Sequence, residues 1–371
     1  MGKKKILVII DNLGGGGAEK ILITLLKNIS PEKYWVDLYL ISKEGIYINE
    51  VPSWVKMRYF FPRPSNQYYL IVIKAIKRLF LHFPKLFYVF FLYKKAYDIE
   101  IGFREGFSTK IILSSTNKKS LKISWLHTDI IKHHFWFINK KKYFTKLKKI
   151  DKVICVSKTT KEIFLSRYPC FTHKTKTIYN PINVEEITKK GEATNANLFN
   201  NSENNLVTIG RLDEGKNHQF LIKCVAKLYR EGIETHLWII GGGELDYFLK
   251  ELAIKENVES LIHFVGFTPN PYGYLKQASL FVFASRYEGL PTVLIEAMAL
   301  EKTIISTYCN GAEEILEDGK YGILCKEDIH DFTNHIKKCL TNSITFEVSN
   351  KLSDFNIKSQ ISKIEQILDG N

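Results

Sequence analysis

Two carboxylates and two cations in the second half of this 371-residue chain have the types and spacing to handle a charged ligand. Glu288 and Glu296 lie in Ser285–Glu296, SRYEGLPTVLIE, between the apolar run Leu280–Phe283 and an apolar helical stretch, Thr292–Leu300. The run reads as a buried strand. Gly289 permits a tight turn, and Pro291 suits the start of a helix, where a missing N–H costs nothing. The helix N-terminus behind that turn favours an anion. Glu288 then sits on the loop and Glu296 more than a turn into the helix, so both can face one ligand at different depths. Taken alone, the pattern also fits a solvated loop and a charged helix face. Arg211 and Lys216 fall in Gly210–His218, GRLDEGKNH, again after a strand and before a helix. A planar guanidinium and a point-charge ammonium there are placed to grip a multiply charged anion at the carboxyl ends of parallel strands.

The first half opens in a related way. Ile6–Ile10 is a strand, Gly14–Gly17 a glycine loop containing Gly15 and Gly16, and Ala18–Asn28 a helix. Glu19 occupies the third-glycine place of a dinucleotide fingerprint, and no Gly-Lys-Ser/Thr follows, so neither nucleotide motif is present. A backbone able to approach a ligand closely remains, or simply a flexible turn. His127 ends the strand Leu121–Leu126. His127, His133 and His134 lack a partner Cys or carboxylate at metal-ligand spacing, so no metal site is expected.

Strands and helices that alternate position these residues. In the second half Leu206–Gly210, Thr235–Ile240, Ile262–Gly266, Ser279–Ala284 and Thr303–Ser306 read as strands, with helices at Gln219–Arg230 and Glu244–Glu256. Such spacing gives an α/β fold with a parallel sheet covered on both faces. The length accommodates two domains with real cores. Charge divides along the same line. Residues 1–180 hold 34 Lys+Arg against 12 Asp+Glu, a balance of +22, and the remainder carries −8. A basic half facing nucleic acid or an anionic membrane, beside an acidic half with another partner, follows from that asymmetry.

The six scattered cysteines, without a C-x-x-C pair, read as reduced core thiols of a cytosolic protein. The apolar core of MGKKKILVIID is too short for a signal peptide, and Ile6 does not fit a myristoylation motif. Tyr68–Lys95 is apolar enough to raise the question of a membrane span, but Lys74, Lys77, Arg78, His82, Lys85 and Pro84 interrupt it. Lys74, Arg78 and His82 share a helix face, which fits either a helix lying on a membrane or one packed in the core with its basic side in water. Basic and aromatic residues interleave again from Ile131 to Lys152, including Phe135 and Trp136, without a nucleic-acid module.

The E-x7-E junction and GRLDEGKNH, in this order and spacing, resemble the signature of retaining glycosyltransferases of family 4, and the resemblance covers most of the chain. It implies the GT-B fold: two Rossmann-like domains facing a central cleft. The expected division is 1–183, 184–204 as linker, 205–350, and 351–371 as a helix returning to the first domain. The resemblance further implies that Arg211 and Lys216 hold a nucleotide-sugar diphosphate, Glu296 the ribose and Glu288 the donor sugar. Gly210, Gly289, Leu290 and Pro291 would offer nearby backbone, and Gly266 and Phe267 would lie against the base. Gly15 and Gly16 would face the cleft, with His127 near the sugar's outer hydroxyls. Cys309-Asn310-Gly311-Ala312 departs from the Pro-rich loop of many relatives and resembles those that add N-acetylhexosamines to lipid-linked oligosaccharides.

The implied activity is sugar transfer with retention, no required metal and no cofactor beyond a nucleotide-sugar substrate, UDP-linked. The acceptor would be a lipid-linked or polysaccharide glycan of a bacterial cell surface, and the enzyme would sit peripherally on the inner face of the cytoplasmic membrane, with no nucleic-acid partner. Two other readings exist: a nucleic-acid-binding protein using the basic half, and an inactive glycosyltransferase-shaped binding protein. The first leaves GRLDEGKNH and E-x7-E unexplained, and the intact Arg211, Lys216, Glu288 and Glu296 argue against the second.

Overall fold

Apolar runs of four to seven residues set the frame, because strands buried on both faces need no alternation. In the computed structural model, residues 2–62, 71–73, 76, 82–92, 96–128, 145–194, 197–199, 203–342 and 344–370 are described. The chain forms two compact units, 1–181 with 358–371 and 182–357.

Unit 1 contains β1 (Lys4–Ile10), α1 (Gly17–Asn28), β2 (Tyr34–Ser42), β3 (Lys56–Phe61), α2 (Pro84–Leu92), β4 (Ile99–Gly102) and α3 (Phe107–Leu113). It continues with β5 (Leu121–Leu126), β6 (Lys152–Cys155), α4 (Lys158–Arg167) and β7 (Thr175–Thr177). The strands make a parallel sheet of order β3-β2-β1-β4-β5-β6-β7. Its order reverses between β2-β1 and β4, the topological switch at which ligands bind in doubly wound sheets. Leu7, Ile9, Phe87, Ile111, Ile112, Ile150 and Val153 belong to the core on one face.

Unit 2 begins with α5 (Val184–Glu192) and β8 (Asn205–Ile209), then α6 (His218–Arg230), β9 (His236–Ile240), α7 (Asp246–Lys255) and β10 (Ile262–Gly266). There follow α8 (Tyr272–Gln277), β11 (Leu280–Phe283), α9 (Thr292–Ala299), β12 (Ile304–Thr307), α10 (Asn310–Leu316), β13 (Ile323–Cys325), α11 (Ile329–Thr341) and α12 (Ser349–Ser353). Six parallel strands run in the order β10-β9-β8-β11-β12-β13, over a core that includes Leu221, Val225, Leu237, Ile239, Val282 and Phe332.

Two segments differ from the sequence reading. The first part of the expected linker is helix α5, capped by the Asn183 side chain on the N–H of Glu186 and turning only Ile187 and Gly191 inward. The last helix, expected within 351–371, is α13 (Ile357–Asp369), preceded by the short α12. The chain turns between them, where Phe355 buries its ring and its carbonyl accepts the N–H of Ile182 at 3.0 Å. From Lys358 onward α13 belongs to unit 1, where Glu365 accepts the N–H of Ser30 at 2.9 Å and the Tyr34 hydroxyl donates to Asp369 at 2.9 Å.

Among the described residues no helix is long and apolar enough to cross a membrane. Pro84 begins a helix, α2, where its missing N–H costs nothing. Lys74, Lys77, Arg78, His133, His134, Phe135 and Trp136 lie outside the described residues.

Candidate active site

In unit 2 the site is built from three loops at the carboxyl ends of β8, β9 and β11. The first, 210–217, is fastened to the glycine loop 241–243. The N–H of Gly210 reaches the Ile240 carbonyl at 3.0 Å, and that of Leu212 the Gly242 carbonyl at 3.1 Å. Gly241 has φ 146°, and a Cβ there would collide with the carbonyl of Gly210, so only glycine permits this closeness. Asp213 closes the turn by accepting the N–H of Lys216 on Oδ1 at 3.1 Å. Asn217 then takes the left-handed conformation (φ 53°), a state its short polar side chain tolerates, and α6 begins. His218, buried in the first turn, meets the Arg211 carbonyl at 3.2 Å through Nε2. Burial pushes its pKa down to about 4, so the ring is neutral at neutral pH and Nε2 donates.

These constraints send Lys216 across the Gly210 backbone to Glu288, with which it forms an ion pair. Both side chains are largely buried, and the ammonium also lies 6.0 Å from the centroid of the Phe283 ring. The two residues, 72 positions apart, therefore form one charged centre. Gly289, Leu290 and Pro291 follow directly, Leu290 buried, and α9 starts at Thr292 with Glu296 buried on its second turn. Gly311, at the start of α10, packs against the same turn; a Cβ there would lie 2.6 Å from Pro291 Cδ and 3.1 Å from the Gly289 carbonyl. Burial raises the pKa of the neighbouring Cys309 thiol to about 12, with Glu288 adding to the effect, so it stays protonated.

Arg211 stands apart from this centre. Its side chain is 63% exposed and pairs with Asp213 at 3.5 Å. Gly266 ends β10 in the left-handed region (φ 78°), and its carbonyl accepts the N–H of Gly241 at 2.9 Å. Phe267 beside it is half exposed, an aromatic face available for stacking.

A positioning contact that no local pattern signals comes from Glu327, after β13. Its Oε1 accepts from Asn217 Nδ2 at 2.9 Å and from Arg286 Nε and Nη2 at 3.4 and 3.3 Å. The N–H of Arg286 reaches the Gly215 carbonyl at 2.9 Å. Glu327 thus ties the loop carrying Lys216 to the loop carrying Glu288. Glu327→Ala is expected to lower kcat/KM about tenfold, by loosening a charge-assisted bond of ordinary strength, while leaving the fold intact. Steady-state kinetics with circular dichroism would check it; unchanged kcat/KM would show that the loops hold without Glu327.

Unit 1 carries Gly15, Gly16 and His127, at the carboxyl ends of β1 and β5. Gly15 has φ 102°, and Gly16 is the extended residue before α1. The Glu19 carboxylate folds back over Gly16 and pairs with Arg104 at 3.6 Å. Glu105, buried, accepts the N–H of His127 at 2.8 Å, and burial holds its own carboxyl above the usual range. The His127 ring lies tilted against Phe103, with centroids 5.0 Å apart, and its buried Nε2 has no hydrogen-bond partner among the described residues. Burial, then the Arg104 charge, lowers its pKa to about 3, so it is a neutral donor or acceptor. Arg104 and Glu105 were not singled out by sequence. Their signal was two adjacent charges just after a strand's end. Among the described residues no group of three or more His, Cys, Asp or Glu side chains is placed to hold a metal ion.

Comparison with known proteins bears on the family and the fold. The family model described as "Glycosyl transferases group 1" matches residues 189–359. The N-acetylgalactosamine-N,N'-diacetylbacillosaminyl-diphospho-undecaprenol 4-alpha-N-acetylgalactosaminyltransferase of Campylobacter jejuni is 30% identical over 337 residues, 88% of this chain and 87% of that one. A second C. jejuni protein, a GalNAc-alpha-(1->4)-GalNAc-alpha-(1->3)-diNAcBac-PP-undecaprenol alpha-1,4-N-acetyl-D-galactosaminyltransferase, is 27% identical over 88% of this chain and 86% of its own. Among solved structures, HepE of Anabaena in complex with UDP and glucose superposes with a TM-score of 0.78, covering 99% of this chain and 100% of that one at 18% identity. The two Rossmann-like parallel sheets are those of the GT-B fold. Sequence relationship across nearly the whole length and the matching fold place this chain in the group 1 glycosyltransferase family.

Proposed function

We propose that this glycosyltransferase moves a sugar from a UDP-sugar, with retained anomeric configuration and without a metal, to a glycan carried on a polyprenyl diphosphate. An N-acetylhexosamine is the donor sugar that the Asn310-Gly311-Ala312 turn favours. The observation that carries the reading is the Lys216–Glu288 centre at the carboxyl ends of the unit 2 strands, beside the start of α9. The printed activities of the two C. jejuni relatives, both on undecaprenol diphosphate-linked glycans, support the acceptor class.

In this reading Lys216, Arg211 and the N–H groups opening α9 stabilise the departing diphosphate, which gains charge as the glycosidic bond breaks. Glu288, held by Lys216 before the donor arrives, meets the sugar, and Glu296 takes the ribose hydroxyls. The acceptor hydroxyl attacks from the face that the phosphate leaves, its oxygen bonding to the anomeric carbon while its proton passes to a leaving-phosphate oxygen. Within unit 1, the His127 imidazole is a neutral group able to hydrogen-bond a sugar hydroxyl, beside the backbone of Gly15 and Gly16. Unit 1, with its excess of lysine, keeps the enzyme on an anionic membrane surface.

A panel of UDP-, GDP- and ADP-sugars, with an undecaprenyl diphosphate-linked glycan as acceptor, tests the reading by release of free nucleotide. Release is expected from a UDP-N-acetylhexosamine, undiminished by a chelator, with NMR showing the donor's anomeric configuration in the product. Release from GDP- or ADP-sugars alone, or an inverted product, would refute it.

A further inference from the structure

The lysines unused by this chemistry gather at the other end of the unit 1 sheet. A cavity of about 800 Å³ opens at the amino ends of β5 and β6, between the turn after α3 and the segment 145–151. Lys85, Lys118, Lys119, Lys122, Lys146 and Lys149 line it, against one carboxylate, Asp151. Asp151 turns to the sheet and accepts the N–H of Lys122 at 2.8 Å. The Lys122 ammonium is fixed in the floor by the Asn117 carbonyl at 2.6 Å and the Ser120 hydroxyl at 2.9 Å. Glu100, buried nearby, is taken up by the hydroxyls of Tyr88 at 2.9 Å and Ser115 at 3.0 Å. Lys85, Lys118, Lys119 and Lys149 are exposed, and no ion pair neutralises them among the described residues. Several like charges around a concavity focus a positive potential there.

An apolar surface adjoins this cleft. Lys85 belongs to the first turn of α2, whose outer face shows Leu86, Val89 and Phe90, the last 74% exposed, with Phe83 just before the helix. Residues at this spacing share one helix face. A contiguous apolar patch of this kind marks an interaction site, and a lysine cleft beside it complements an anionic bilayer. Nucleic acid would match the lysines but leave the aliphatic and phenyl groups in water.

We propose that the cleft and the outer face of α2 form a bilayer-docking surface. Its lysines take the phosphate headgroups of anionic lipids, and Leu86, Val89 and Phe90 enter the acyl boundary. Five residue steps along β5, about 17 Å at the usual strand rise, separate the cleft from the carboxyl end that carries His127. The surface is therefore distinct from the residues assigned to the donor. It deepens, and rests on, the reading that the enzyme works at a membrane on a lipid-linked acceptor.

The test is flotation of the full chain with vesicles of phosphatidylcholine, or of phosphatidylcholine doped with phosphatidylglycerol. Binding is expected only to the doped vesicles and is expected to weaken with salt. Replacing Lys118, Lys119 and Lys149 together by Gln should reduce it about a hundredfold, the combined effect of three lysines at an anionic surface. Leu86→Ser with Phe90→Ser should abolish the part that survives high salt. Nucleotide release with a soluble acceptor analogue should match wild type in both variants, which shows that they fold and separates docking from chemistry. Equal binding to both vesicle types, unchanged binding of the lysine variant, or tighter binding to single-stranded RNA than to the doped vesicles would overturn the inference. Vesicle binding without activity on any lipid-linked acceptor would instead sink only the acceptor reading.

Discussion

Lys216→Ala is expected to lower turnover about a hundredfold or more, the usual loss when a preorganised electrostatic donor is removed from a reacting charge. The ammonium is largely buried and aimed by the Asp213 turn and the Glu288 carboxylate, so water does not readily replace it. Removal also leaves Glu288 without its counter-charge at the place where the donor phosphate must arrive. Folding should survive, since Lys216 lies on a loop between β8 and α6. Arg211→Ala should act in the same direction and less strongly, because its guanidinium stands mostly in solvent beside Asp213. Turnover of Lys216→Ala within a few-fold of wild type, measured at saturating donor, would remove the residue from the diphosphate.

The two glutamates should separate by what they touch. Glu296→Gln keeps the shape of a buried side chain and removes its charge. Loss of a charge-assisted bond to the ribose is then expected to weaken UDP binding about ten- to a hundredfold, with UDP-sugar weakened alike. Glu288→Gln keeps a hydrogen-bond acceptor for Lys216 and should leave UDP affinity little changed, while lowering turnover of the intact donor. Calorimetric titration of UDP and of a UDP-sugar into each variant distinguishes them. Equal loss of UDP affinity in both would contradict the division.

Both sheets were legible because several of their strands contain short, mostly apolar runs. Ile6–Ile10, Leu206–Ile209 and Leu280–Phe283 could be nothing but buried segments, and their loops carry the glycines that end them. Edge elements were not. Lys56–Phe61 mixes charged and aromatic residues, five of the six exposed or partly so, and Thr175–Thr177 is three polar or charged residues paired to one neighbour. Helix α5 turns so little apolar surface inward that its sequence reads as a linker. The break between α12 and α13 depends on Phe355 finding a place beside Ile182, a contact across more than 170 residues that periodicity cannot register. At the site, Lys216 and Glu288 were recognisable by their motifs, yet their meeting depends on Glu327, Arg286 and Asn217, which no spacing links. The lysine cleft is assembled from three separate segments, so its charges appear in the sequence only as a general excess.

The central claim is that Lys216 holds a diphosphate in unit 2. Titrating UDP and uridine into the wild-type chain and into Lys216→Ala isolates the free energy contributed by the diphosphate. Wild type is expected to bind UDP far more tightly than uridine, and this difference should largely collapse in the variant while uridine affinity is unchanged. A wild-type protein that bound both equally, or a variant that kept the full difference, would contradict that claim.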